Sequence, residues 1–236
     1  MWLCLEMRGL DAGRRLGYRG CACRYSVITM THHAVHHHLV AAAGDLSPAL
    51  EAALVRLGPL EFPRRDSQSF PHYLCRAISG QQISVKAAQS IWNRVEASAG
   101  DAPLLEHLVA ENTDILRACG LSGAKTKTII TIAETHRNVG LDTDELRALS
   151  IAERTARLTA IWGVGQWTAD MMNMFYFGEA DIWPDGDVAA RKTLERLTSK
   201  RRKTVRSAER FKPYRSWLAL YMWAHADAPP DGQAVG

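Results

Sequence analysis

Asp187 is an isolated carboxylate in the run Trp183-Pro184-Asp185-Gly186-Asp187-Val188-Ala189, and it follows Trp167 by twenty residues. A fixed carboxylate can stabilise positive charge that develops during a reaction, and it can position or deprotonate an attacking water. Aspartate also caps helices, and a helix is expected over about 187–198. Asp185, two residues earlier, is the favoured cap on spacing, although Asp187 itself could serve. Upstream, Ile161-Trp162-Gly163-Val164-Gly165-Gln166-Trp167-Thr168-Ala169-Asp170 sets two glycines in a short turn. Gly163 and Gly165 can adopt positive φ, which lets the chain reverse within a few residues. Ser150 and Glu153 form a capping-box signature that opens the apolar helix before this turn. Trp167, Met171, Met174 and Phe175 belong to the helix after it. The first amides of that second helix, with those of the glycines, would face outward without partners. Such donors make an anion site that needs no lysine. A bare G-x-G pattern also occurs at ordinary helix–helix turns.

A third run is Arg76-Ala77-Ile78-Ser79-Gly80-Gln81-Gln82-Ile83-Ser84-Val85-Lys86-Ala87-Ala88. Gly80-Gln81-Gln82 interrupts two helices with a polar turn, a poor choice for a packed core. Taken alone, it reads most simply as a connecting loop, with Ser84 capping the helix that follows.

The elements that must position these residues are helical. Ser47 and Pro48 open a helix that runs through Leu54 and Leu57 and is stopped by Gly58-Pro59. Further helices are expected over 70–78, 84–95, 102–110, 112–119, 124–139, 142–148, 151–161, 167–177, 187–198, 204–211 and 213–225. Alternating β patterns are scarce, so the fold class is all-α. Residues 1–29 carry five arginines and two acids without a sustained amphipathic period. They read as a non-structural extension produced by a start codon called too early, with Met30 the natural start; a transit-like peptide is the alternative. Five of the nine histidines fall within 32–38. Their i,i+4 spacing could bind a metal, but a surface or disordered terminus is the expectation there.

At 236 residues the chain has room for one large domain or two small ones. The formal charge is +4. Residues 188–215 hold eleven Lys/Arg against Glu195 and Glu209, a local excess of +9, so the remainder sums to −5. Such a block marks a nucleic-acid face or a solvated helix surface. No apolar run approaches the ~18 residues of a membrane span, and no membrane partner is expected. The five cysteines, Cys4, Cys21, Cys23, Cys75 and Cys119, fit a reducing, cytoplasmic setting rather than a disulfide framework.

The three runs, in their order along the chain (76–88, 161–170, 183–189), resemble the helix-hairpin-helix DNA glycosylase superfamily, specifically the alkylbase branch typified by 3-methyladenine DNA glycosylase II. The resemblance spans about 45–228 and includes the tail Phe211-Lys212-Pro213-Tyr214-Arg215-Ser216-Trp217-Leu218-Ala219-Leu220-Tyr221-Met222-Trp223, where the family also has K-P-[aromatic]-R-S. It implies two helical subdomains, 30–64 with 176–229 and 65–175, an active-site cleft between them, and a tail at 230–236. Asp187 matches the catalytic acid. Trp167 and Trp223 match aromatic positions of the base pocket, with Tyr221 and Trp217 as weaker candidates; Met171 stands where the bacterial prototype has an aromatic. Gln82, flanked by Gln81, matches the wedge that enters the DNA stack. Gly163, Val164, Gly165 and Thr168 would hold the DNA backbone, joined by Arg191 and Lys192.

By the same resemblance, the main-chain carbonyls of Thr159, Ile161 and Val164 would hold a monovalent cation, Na or K. No other cofactor is required, and with no cysteine after 119 the iron–sulfur cluster that some relatives carry beyond the hairpin cannot be built. Bifunctional relatives place a lysine where this chain has Trp167, so a monofunctional, water-using enzyme is implied. Its substrate would be alkylated bases of the 3-methyladenine or 7-methylguanine type in double-stranded DNA, and the protein would act as a monomer. A preference for uracil, hypoxanthine or ethenoadenine remains open, as does a non-catalytic DNA-binding role for the hairpin. Asp187 argues against the last, since an acid facing bound phosphate serves no purpose in binding alone.

Overall fold

Hydroxyl and carboxylate caps fix where many of the helices begin. A computed structural model describes residues 31–63 and 67–228. Among these the chain forms α1 (His32–Gly44), α2 (Pro48–Leu57), α3 (Phe70–Gly80), α4 (Val85–Ser98), α5 (Leu104–His107), α6 (Thr113–Ala118) and α7 (Gly123–Val139). It continues through α8 (Thr143–Ala148), α9 (Ile151–Thr159), α10 (Gln166–Phe175), α11 (Val188–Leu197), α12 (Thr204–Ala208) and α13 (Arg215–Asp227), with short 3-10 turns at Ala110–Asn112 and Glu209–Phe211. Thr31, Ser47, Ser84, Ser122 and Ser150 each accept a backbone N–H of the helix that follows, and Ser150 with Glu153 completes a capping box. The all-α expectation is borne out. No helix among the described residues is long and apolar enough to cross a membrane.

Burial follows the apolar stripes. Phe70, Leu74, Cys75, Ala77 and Ile78 of α3 are enclosed, and this helix packs on α7 through Ile129, Ile132 and Ala133. Helices α3, α4, α6 and α7 cluster together, while α1, α2, α11 and α13 form a second cluster. α10 is buried from Thr168 to Phe175. Burial drives the Cys75 thiol pKa far up, and its S–H faces the Ile129 carbonyl. Cys75 and Cys119 are free thiols; the other three cysteines, and Met30, lie outside the described residues.

Two expectations need correction. The histidine-rich stretch is no loose terminus: α1 buries Val35, Leu39 and Ala43 at a four-residue repeat, with His36 beside them. His36 Nδ1 lies 2.7 Å from the Tyr221 hydroxyl, and His38 Nε2 lies 3.1 Å from the Lys212 carbonyl oxygen. Burial, helped by His37 and His33, lowers the His36 pKa. The helix expected over 102–110 shrinks to the single turn of α5, because Pro103 opens it and Leu108 leaves the helical region at ψ 78°.

Candidate active site

Asp187 is 6% exposed and sits at the N-cap of α11. One carboxylate oxygen, Oδ1, accepts the Ala190 amide at 2.8 Å and the Trp223 indole N–H at 2.9 Å. The other, Oδ2, accepts the Trp167 indole N–H at 2.9 Å. Two tryptophans from different helices, α10 and α13, therefore converge on the predicted acid. A carboxylate offers about four acceptor directions, so one remains on Oδ2. Asp185 does not cap α11. It accepts from the Thr204 hydroxyl at 2.9 Å and the Trp183 indole at 3.4 Å, tying the loop to α12.

The segment leading to Asp187 is pinned by residues that spacing alone did not single out. Arg154 of α9 is 2% exposed; it donates to Asn173 and Glu179 and to the carbonyls of Leu146 and Leu149, with its guanidinium 4.2 Å from the Phe177 ring centroid. Arg215 holds Asp181 in a two-pronged pair at 2.7 and 3.0 Å, and Ser216 donates to the Glu179 carbonyl at 2.7 Å. The K-P-Y-R-S signature thus anchors the route to the acid. Because Arg215 pairs with Asp181 and Glu209, and Lys212 with Glu209, these two cations of the basic block serve the fold. Arg191 and Lys192 have no such partner among the described residues, and Arg191 lies one turn beyond Asp187 on α11.

The hairpin between α9 and α10 separates the two glycines. Gly163 has φ +84°, and a Cβ there would lie 2.1 Å from Thr128 Oγ1. Gly165 has φ −91° rather than the positive value allowed for it, and nothing lies within 4 Å of where its Cβ would be. It is the N-cap of α10 with no side-chain cap, so the first amides of that helix have no side-chain acceptor there. Thr168 is 6% exposed, and its hydroxyl accepts the Gln81 amide at 3.1 Å. Its side chain therefore faces the Gly80–Gln82 turn, and only its backbone amide, in the first turn of α10, is placed among the hairpin donors. Val164 is buried and donates its N–H to the Ile161 carbonyl at 3.0 Å.

At the Gly80–Gln82 turn the two glutamines part. Gln81 is held by Thr168, whereas Gln82 is exposed and takes φ +62°, the one non-glycine residue with positive φ among those described. A strained backbone at an exposed tip marks a position whose side-chain direction matters. Lys125 fixes the turn from below, donating to the Ser79 carbonyl at 2.9 Å and the Gln81 carbonyl at 2.7 Å. Burial lowers its pKa. Gln81 is thus a strut, and of the two only Gln82 stands exposed at the tip of the turn.

Trp217 and Tyr221 stand apart from the carboxylate. Tyr221 is fully buried; its hydroxyl bonds the Gly58 carbonyl at 2.8 Å and the Leu60 amide at 3.1 Å, besides His36. It fixes the segment after α2. Trp217 packs on Phe62, centroids 4.7 Å apart, and with His32, Glu61, Phe62 and Gly178 it lines a cavity of about 280 Å³. Phe62 in turn stacks on Phe175, which lies 6.0 Å from Trp223. An aromatic row joins this cavity to the acid's surroundings.

The family model of the HhH-GPD superfamily, base excision DNA repair proteins, matches residues 75–213, a span holding all three runs and Asp187. The chain belongs to this superfamily. DNA-3-methyladenine glycosylase 1 of Schizosaccharomyces pombe is 33% identical over 180 residues, covering 72% of this chain and 79% of the relative. DNA-3-methyladenine glycosylase 2 of Escherichia coli is 26% identical over 168 residues, 66% of this chain and 57% of the relative. Among solved structures, a Bacillus halodurans DNA-3-methyladenine glycosidase superimposes with TM-score 0.67 at 28% identity, over 81% of this chain and 89% of that one. The S. pombe 3-methyladenine DNA glycosylase in complex with abasic DNA gives 0.66 at 27% identity, over 80% and 94%. The protein is a DNA glycosylase of base excision repair, a hydrolase whose partner is DNA.

Proposed function

We propose that the enzyme is monofunctional and releases alkylated purines of the 3-methyladenine and 7-methylguanine type from double-stranded DNA. The observation that carries this is the Asp187 carboxylate held by the indole N–H groups of Trp167 and Trp223, with no amine among the described residues bonded to it. As the C1′–N bond breaks, its electron pair leaves with the base and positive charge builds on the deoxyribose. Asp187 would stabilise that charge through its fixed position. A water then bonds to C1′ on the face left open, giving up its proton to solvent or to the free Oδ2 direction. An alkylated purine is already cationic and departs neutral, so no acid is needed to protonate it. Electron-rich indoles favour such a cation by stacking. Lys125, beneath the Gly80–Gln82 turn, spends its ammonium on two carbonyls and is no candidate nucleophile.

A base within a duplex must be extruded at a cost of a few kcal/mol, which Gln82 would offset by filling the gap. The uncapped amides of α10, with Arg191 and Lys192, would hold the backbone. A monovalent cation on the carbonyls of Thr159, Ile161 and Val164 suits their hard oxygens and would add positive charge beside the bound phosphate.

The test is to incubate the protein with methylated duplex DNA and identify what is released. Free 3-methyladenine and 7-methylguanine, an unnicked strand and no borohydride-trapped adduct are expected. A trapped adduct would refute the monofunctional reading, and release of uracil, hypoxanthine or ethenoadenine in place of methylated purines would redirect the specificity.

A further inference from the structure

Trp162 is 47% exposed at the tip of the hairpin, the one tryptophan among the described residues with so much surface in solvent. The Lys127 ammonium lies 4.1 Å from its ring centroid. Lys127 comes from α7, whose next residue, Thr128, is the one a Cβ on Gly163 would strike. The second turn of α7 therefore lies directly alongside the hairpin. Among the described residues no carboxylate pairs with Lys127, and on the same hairpin the α10 amides lack a side-chain cap and the Gly165 face is open. An indole pairs a broad apolar face with a polar edge, a combination suited to a contact that is part dry and part wet.

We propose that Trp162 and Lys127 form a second backbone contact for DNA, beside the phosphate held by the hairpin amides. The indole would pack on a deoxyribose of the same strand, and the ammonium would meet the adjoining phosphate. The cation–π contact pre-sets both groups before DNA arrives, which lowers the ordering cost of binding. The occupant is the sugar–phosphate backbone rather than a base edge, because a contact at the hairpin tip joins the part of the site that holds phosphate. Backbone contacts fix register without carrying sequence or lesion information. The inference rests on the hairpin acting as the phosphate site in the reading above.

The experiment compares Trp162→Ala, Lys127→Gln and Lys127→Arg in the full chain, by fluorescence anisotropy on an undamaged duplex and on one with an abasic-site analogue, across a salt series. Both substituted side chains project from the surface, so unchanged thermal midpoints should accompany all three variants. Trp162→Ala should weaken both duplexes by about the same factor, on the order of tenfold, the effect of losing one aromatic packing partner. Lys127→Gln should reduce the log–log salt slope by about 0.9, the contribution of one phosphate, and Lys127→Arg should keep it. Binding within twofold of the parent for Trp162→Ala, or an unchanged slope for Lys127→Gln, would overturn the proposal. Failure of the parent protein to release methylated bases would count against the proposed substrate and leave this binding test intact.

Discussion

Replacing Asp187 by asparagine separates charge from shape at the position where both matter. The carboxylate would face the developing sugar cation at contact range. For unit charges about 4 Å apart at an effective dielectric near 20, the attraction is about 4 kcal/mol. Losing it should slow bond cleavage about 10³-fold. The substitution also disturbs the fold. An asparagine oxygen in place of Oδ1 keeps the Ala190 and Trp223 donors, but its NH₂ then faces the Trp167 indole N–H, donor against donor. One hydrogen bond to a charged group is lost, worth about 2 kcal/mol, or a thermal midpoint lower by roughly 4–8 °C for a chain of this size. The assay is single-turnover release of 3-methyladenine from methylated duplex with enzyme in excess, at a temperature where unfolding is negligible. Binding to an abasic-analogue duplex serves as the control for a folded site. A release rate within tenfold of the parent, with normal binding, would refute the electrostatic role assigned to Asp187.

The two hairpin glycines should fail in different ways. Gly163→Ala meets Thr128 at 2.1 Å in a positive-φ backbone and should lower thermal stability by more than 1 kcal/mol, on the order of a strained left-handed residue plus a clash. Gly165→Ala meets nothing and should unfold within about 1 kcal/mol of the parent, yet bind damaged and undamaged duplex several-fold more weakly; normal binding would mean that no phosphate approaches that face. Lys125→Met removes both donors under the Gly80–Gln82 turn and should cut single-turnover release from duplex about tenfold while sparing release from methylated single strands, which need no wedge. An equal loss on both substrates would assign Lys125 to the fold alone.

The hairpin, the capping box and the all-α architecture were legible because each is local: a cap needs only a residue and its neighbours three places on, and a turn needs its glycines. α1 was not. Its five histidines mask a stripe of Val35, Leu39 and Ala43, and what turns that stripe into a helix is packing against α2 and the Glu209–Phe211 turn, with Tyr221 of α13 meeting His36 across 185 residues. The placing of Tyr221 and Gln81 was hidden for the same reason. Each is set by partners distant in sequence: Gly58, Leu60 and His36 around the Tyr221 hydroxyl, and Thr168 for Gln81. Lys125 could have been suspected from its place in the first turn of α7, but only the geometry shows its ammonium beneath two carbonyls.

The sequence offered capping and catalysis as alternative roles for Asp187, and the structure shows that the first does not use up the carboxylate. As N-cap it takes the Ala190 amide, which fixes its χ angles and its distance from the helix. That bond uses one direction of Oδ1 and leaves Oδ2 turned toward Trp167, the residue where bifunctional enzymes would carry an amine. A capping aspartate is thus an aspartate already immobilised, with little further entropy to lose when a cation forms beside it. Asp185, bonded to Thr204 and Trp183, is equally immobile but faces α12 instead. Two residues of spacing therefore divide an acid that ties down a loop from one held between two indoles, the one proposed to face the departing base.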